Sequence, residues 1–387
     1  MSPAPRHQDP AVPTARAAVR LLPAYVPGAR VGTDRPSHKL SSNENPHEPL
    51  EPVRAAVAQA AVRMNRYPDM FATELVAALA ARHGVDPAGV VAGCGSVAVL
   101  GHVLQAFCDA GDEVVYAWRS FEAYPILVRL QGAVPVEVPL DAEGRHDLRA
   151  MAAAVTARTR VLLVCSPNNP TGPAVGHAEM LALLAAVPPR VLVVLDEAYV
   201  EFVTAGDAAD GDALLAAHPH LLLLRTFSKA YGLAGLRVGY AVARPDVAGP
   251  VRTASTPFGV NDLAQVGALA SLGARDALMD RVDVVVAERE RVVATLRSQG
   301  WTVPDAQGNF VWLAAGARTA ELAALAAADG VLVRPFAGEG IRASIGSPAA
   351  NDALLALTAA WAGGLEGVHN ASAPGVVAVV QSQPTDP

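Results

Sequence analysis

Lys229 lies in Thr226-Phe227-Ser228-Lys229-Ala230-Tyr231-Gly232, directly after the apolar run 221–225, and Arg237 follows a short way on. A lysine after a strand is ordinarily a solvated loop residue. Here two hydroxyls and a guanidinium flank it, a set that can hold a phosphate while the amine faces an aldehyde. Partial desolvation beside a cation makes such an amine give up its proton more readily, as a nucleophile must. A second apolar run, 191–195, delivers Asp196-Glu197-Ala198-Tyr199. A buried ionised Asp is costly unless paired; a protonated pyridine nitrogen is a suitable partner, and the Tyr199 phenol can tune a ring oxygen. The plainer reading of this stretch is a helix-capping Asp followed by a surface Tyr.

Two further stretches fit the same chemistry. Residues 161–165 run into Ser166-Pro167-Asn168-Asn169-Pro170-Thr171-Gly172. Part of this is ordinary turn chemistry, but a rigid turn that presents the Asn169 amide at a strand end can also grip a ring oxygen. Residues 90–92 lead into Gly93-Cys94-Gly95-Ser96, glycines at a strand-to-helix junction whose unpaired backbone N–H groups favour an anion. This is not a dinucleotide fingerprint, because no acidic residue stands at a convincing ribose-binding position. Amine, carboxylate, phenol, amide and anion-holding turn converge on one flat heterocycle bearing a phosphate and an aldehyde, pyridoxal 5'-phosphate.

Each of these groups follows a short β-branched or Leu-rich run, and such runs alternate with Ala-rich amphipathic stretches. That pattern predicts an α/β fold with a mostly parallel seven-stranded sheet, its strands at 90–92, 113–117, 134–138, 161–165, 191–195, 221–225 and 238–242. Ligands collect beyond the carboxyl ends of such strands. After residue 263 the periodicity is helical to about 296, followed by strands at 309–313, near 331–334 and at 341–345, which predicts a smaller α+β domain. The expected organisation is a disordered tail at 1–15, an N-terminal arm at 16–44, a large domain at 45–265, a small domain at 266–364 and a second tail at 365–387.

A net charge of −7 disfavours a nucleic-acid surface and directs attention to small molecules. The three cysteines, Cys94, Cys108 and Cys165, have no metal-ligand or disulfide spacing, so reduced thiols and no metal are expected. With no secretory h-region and no apolar run of roughly 18 residues, the expectation is a cytoplasmic protein without a membrane span.

Together the four stretches resemble the fold-type I aminotransferases that use pyridoxal phosphate, from about residue 22 to residue 361. Within them the chain resembles the histidinol-phosphate aminotransferase branch through Ser41-Ser42-Asn43-Glu44-Asn45-Pro46, Arg66-Tyr67-Pro68-Asp69 and Gly340-Ile341-Arg342-Ala343-Ser344-Ile345-Gly346. More narrowly, Gly95-Ser96-Val97-Ala98, Trp118-Arg119-Ser120-Phe121-Glu122-Ala123-Tyr124-Pro125 and Val333-Arg334-Pro335-Phe336 look like the actinobacterial aromatic (phenylalanine) aminotransferases. Val97-Ala98 stands where histidinol-phosphate enzymes more often carry acidic residues. The resemblance implies that Lys229 carries the cofactor and shuttles the proton, that Asp196 partners the ring nitrogen, and that Tyr199 and Asn169 hold the ring oxygen. It assigns the phosphate to Gly95, Ser96, Thr226, Ser228 and Arg237, with Tyr67 reaching it from the other subunit of a homodimer. Phe121 is the implied stacking residue, with Tyr124 the alternative; Arg342 takes the substrate carboxylate, and Asn43 lies on the substrate side. The implied reaction is amino transfer between aromatic amino acids (phenylalanine, tyrosine) and 2-oxoglutarate. Histidinol phosphate is the alternative substrate, with Arg342 meeting its phosphate, and a non-catalytic regulator that binds pyridoxal phosphate is the remote alternative.

Overall fold

The computed structural model describes residues 13–20, 22 and 37–362. Apart from 13–15 the two expected tails lie outside the described residues, as does most of the arm 16–44.

His38–Lys39 (β1) is a short strand ahead of the main sheet. That sheet comprises Val90–Gly93 (β2), Glu113–Trp118 (β3), Val134–Pro139 (β4), Thr159–Cys165 (β5), Leu192–Asp196 (β6), Leu221–Thr226 (β7) and Gly239–Val242 (β8). Its spatial order is β2-β8-β7-β6-β5-β3-β4. Strands β4, β3, β5, β6 and β7 run parallel, while β8 is antiparallel to both its neighbours. The central strands are continuous apolar runs because both faces are covered. Side chains alternate between the faces: Val115, Leu162, Val193 and Leu223 enter one hydrophobic core, and Val114, Leu163, Val194 and Leu222 the other. Val99 and Val103 of the helix Gly95–Phe107 cover the second face. Leu75 and Leu79 of Thr73–His83 and Met180 of His177–Ala186 belong to the first core. The direction of strand order reverses between β3 and β5, which places a crevice at their carboxyl ends.

Phe310–Leu313 (β9), Val331–Leu332 (β10), Arg334–Phe336 (β11) and Gly340–Ser344 (β12) complete the strands. β11, β12 and β9 form an antiparallel sheet in that order, and β10 pairs in parallel with β1. The single strand expected near 331–334 is therefore two, with Val333 between ladders that belong to different sheets. The helical stretch after 263 is likewise two helices, Asp262–Gly273 and Arg275–Ser298, separated at Ala274. A domain division at 265/266 falls inside the first of them. Leu40 ties the arm to both small ladders: its N–H donates to the Leu332 carbonyl at 2.8 Å and its carbonyl accepts from Ser344 N at 2.8 Å. That seam delivers residues 41–43 to the crevice. Among the described residues no helix is long and apolar enough to cross a membrane.

Candidate active site

β6 and β7 each end on a functional residue. Asp196 is the last residue of β6, in register with Cys165, and Thr226 is the last of β7, in register with Gly239. Ladder hydrogen bonds therefore fix both side chains at the mouth of a cavity of about 200 Å³, which is lined by Ser96, Phe121, Asn169, Asp196, Lys229 and Arg342 among others. A larger cavity of about 800 Å³ lies beside Trp118, Leu140 and Trp312, and its lining holds no lysine.

Asp196 is buried, and Tyr124 Oη donates to its Oδ2 at 2.7 Å. Burial pushes its carboxyl up to about 6, against the opposing pull of that hydrogen bond. Tyr124 thus supports the carboxylate, and of the two candidate stacking residues only Phe121 lines the cavity. Phe121 lines the cavity and meets Tyr124 edge-on, with centroids 5.6 Å apart. Tyr199 is buried, its hydroxyl accepts from Asn43 Nδ2 at 3.1 Å, and burial holds the phenol well above its ordinary value. Lys229 Nζ donates to the Ser42 carbonyl at 3.2 Å. Burial first, with the Arg342 and Arg237 guanidiniums adding to it, draws its ammonium down to about 7. At neutral pH a large fraction of this amine is the free base, the form that attacks a carbonyl carbon.

An anion seat lies opposite. Gly95 opens the helix Gly95–Phe107 with φ +78, and a Cβ there would stand 2.5 Å from Arg237 Nη2. Only glycine admits the guanidinium so close to the helix N-terminus. A Cβ on Gly239 would likewise come within 2.4 Å of Ser96 N, so a bare backbone lets β8 pass under the seat. Thr226 Oγ1 lies 3.0 Å from Ser228 Oγ, which accepts from Arg237 Nη1 at 3.4 Å. Backbone N–H groups, hydroxyls and a guanidinium make a fitting cradle for a phosphate. With the buried carboxylate of Asp196 and the amine of Lys229 lining the same cavity, the residues present fit a phosphorylated pyridine aldehyde.

On the third side, Arg342 donates from Nη1 to Asn169 Oδ1 at 2.6 Å and from Nη2 to the Ser41 carbonyl at 2.7 Å. Asn168, its sequence neighbour, does structural work. Its Nδ2 donates to Arg119 O at 3.1 Å and to Thr171 Oγ1 at 2.7 Å, while its Oδ1 accepts from Ser120 Oγ at 2.8 Å. The turn after β3, which carries Phe121, is thereby tied to the turn after β5, which carries Asn169.

Two expected residues stand elsewhere. Asn43 is fully buried and is absent from the cavity lining; it holds the Tyr199 hydroxyl and accepts from Ser344 Oγ at 3.0 Å. In this structure it supports Tyr199, with one N–H of its amide given to the phenol and its amide oxygen taken by Ser344. Tyr67 is 84% exposed, with its ring 4.8 Å from that of Phe258, and it does not reach the cavity of its own chain. Sequence reasoning missed Glu122 and Arg334, which also line the cavity, and the Ser41 and Ser42 carbonyls. Glu122 and Arg334 lay in motifs noted only for their family likeness; nothing local marks them as cavity residues.

The family model for aminotransferase class I and II matches residues 36–356. The chain is 54% identical over 344 residues to an aromatic amino acid aminotransferase of Thermobifida fusca, covering 89% of this chain and 96% of the relative. It is 52% identical over 347 residues to one of Streptomyces avermitilis, covering 89% and 97%. A crystal structure of histidinol-phosphate aminotransferase from Sinorhizobium meliloti in complex with pyridoxal-5'-phosphate matches with a TM-score of 0.82 at 27% identity, covering 92% of this chain and 99% of that one.

Proposed function

The chain belongs to the class I and II aminotransferases, and from that premise we propose that it transfers the amino group of aromatic amino acids such as phenylalanine and tyrosine to 2-oxoglutarate. The products are the aromatic 2-oxo acid and glutamate. The observation that carries the reading is a single cavity in which Lys229, Asp196 and the seat around Gly95 and Arg237 converge, in a chain about half identical to two named aromatic amino acid aminotransferases.

Pyridoxal phosphate is the cofactor; when bound it supplies an electron sink for the pair left on the substrate Cα. Lys229 Nζ, whose ammonium is drawn down to about 7 by burial, removes the proton from that carbon in its free-base form and hands it on as a general acid. The carboxylate of Asp196, kept in place by Tyr124, would partner the ring nitrogen and favour its protonated form. Tyr199 and Asn169 would hold the ring oxygen, Asn169 through its Nδ2, since its Oδ1 is engaged by Arg342. Gly95, Ser96, Thr226, Ser228 and Arg237 would hold the phosphate, Phe121 would pack against the ring, and Arg342 would take the substrate carboxylate by a bidentate pair.

The protein acts as a cytoplasmic homodimer in this reading. Val62, Met64, Tyr67, Met70, Phe71 and Phe258 are large apolar side chains left exposed on one chain, and a second copy that covers them would also carry Tyr67 to its neighbour's phosphate seat. A panel of amino donors against 2-oxoglutarate tests the reaction. Phenylalanine and tyrosine should give the highest kcat/KM, and a kcat/KM for histidinol phosphate that exceeds them would replace this reading with the alternative.

A further inference from the structure

β11 and β12 pair so that Arg334 and Arg342 are direct partners across the ladder. Directly opposed residues share a face of the sheet, and like charges placed there repel unless something neutralises them. Both side chains line the cavity. The neutralising group comes from far off in sequence: Arg334 donates to Glu122 Oε2 from Nη2 at 2.8 Å and from Nε at 3.2 Å. Glu122 lies in the turn after β3, next to Phe121, and lines the same cavity. Its side chain is 29% exposed and that of Arg334 10%, so the carboxylate is the partner with a route to water.

This arrangement sets the charge that a substrate side chain meets. Arg342 is assigned to the α-carboxylate that every amino acid and 2-oxo acid carries. Arg334, one strand away, is a ready second anion site, but Glu122 already occupies it. A substrate with an uncharged aromatic side chain leaves the pair intact. A substrate with a second anionic group, the dicarboxylate 2-oxoglutarate included, must displace Glu122 from Arg334 or lie against its negative charge, so the pair weakens binding of the acceptor relative to its aromatic counterpart without barring it.

We propose that Glu122 is a specificity-determining residue, a resident counter-ion on Arg334 that biases the site toward substrates carrying one anionic group. The inference rests on the aromatic transamination proposed above and deepens it. Arg119 binds Glu339 through Nε and Nη2 and joins the same two segments, so the turn stays anchored when the charge of Glu122 is removed.

The test uses the holoenzyme and two unreactive acids, glutarate with two carboxylates and 3-phenylpropanoate with one, titrated by the change in absorbance of the bound cofactor. In Glu122→Gln the affinity for glutarate relative to 3-phenylpropanoate should rise about tenfold or more, and the ratio of kcat/KM for glutamate over phenylalanine as amino donor should rise with it. Arg334→Gln, which leaves Glu122 as an unpaired negative charge, should move both ratios the opposite way, and in the Glu122→Gln background it should cancel the gain. Unchanged ratios in Glu122→Gln protein with the wild-type melting temperature and cofactor spectrum would overturn the proposal. Should that variant not fold, ratios unmoved by Arg334→Gln would overturn it equally. Wild-type protein inactive toward phenylalanine would instead sink the reaction assigned above, so the two failures are distinguishable.

Discussion

The two halves of the cavity are built in different ways. The half that fits the cofactor comes from one sheet edge: Asp196 and Thr226 end neighbouring parallel strands, and Ser228 and Lys229 follow within a few residues. The half that meets the substrate is assembled from distant pieces. Arg342 bonds to Asn169 from 173 residues away and to Ser41 from 301, and Arg334 reaches Glu122 across 212. The first half can be read as local motifs, whereas the second exists only once two sheets and an arm have met. Chemistry should accordingly depend on the sheet edge, and choice of substrate on the joint between sheets.

Three changes would break or sharpen that division. Lys229→Ala removes the amine that makes and moves the bonds, so kcat should fall on the order of a millionfold, with no absorbance band from a lysine-bound cofactor; substantial residual turnover would end the division at its strongest point. Arg342→Gln should act on the other half, raising KM for phenylalanine and 2-oxoglutarate about thirtyfold or more with a smaller change in kcat. Equal losses in both constants would mean that the halves are not separable. Tyr124→Phe is the mildest, about tenfold in kcat/KM from one hydrogen bond to a charged group. Its sign with pH is definite. Tyr124 donates to the Asp196 carboxylate, whose folded value stands raised at about 6 by burial. Loss of that donor favours the protonated acid, so the acidic limb of the pH profile should move to higher pH; a shift the other way would remove Tyr124 from its supporting role.

The same division explains what could be read in advance. The central strands of the main sheet are legible because they are apolar runs buried on both faces, and the half-exposed edge strand β4 because its valines alternate; the observed ends differ from the expected ones only by a residue or two, as where β5 begins at Thr159 and β6 ends at Asp196. Lys229, Asp196, Asn169 and Ser96 line one cavity, and the turn chemistry after each strand pointed there. Tyr124 and Asn43 carried no such signal. A tyrosine one turn after Phe121 looks like a ring-stacking alternative until the fold puts its hydroxyl on Asp196, and Asn43 looks like a substrate ligand until Ser344 and Tyr199 take up its amide. The strand near 331–334 was legible as extended chain, but its split between ladders depends on β1, whose two residues have no periodicity to detect.

The stretch that follows β1 hands a carbonyl to Arg342 from Ser41, a carbonyl to Lys229 from Ser42 and an amide to Tyr199 from Asn43. An inserted or deleted residue in this stretch would shift all three contacts at once. Arg342 stands on β12, Lys229 follows β7 and Tyr199 follows β6, so one short segment outside the main sheet keeps time for groups that three different strands supply.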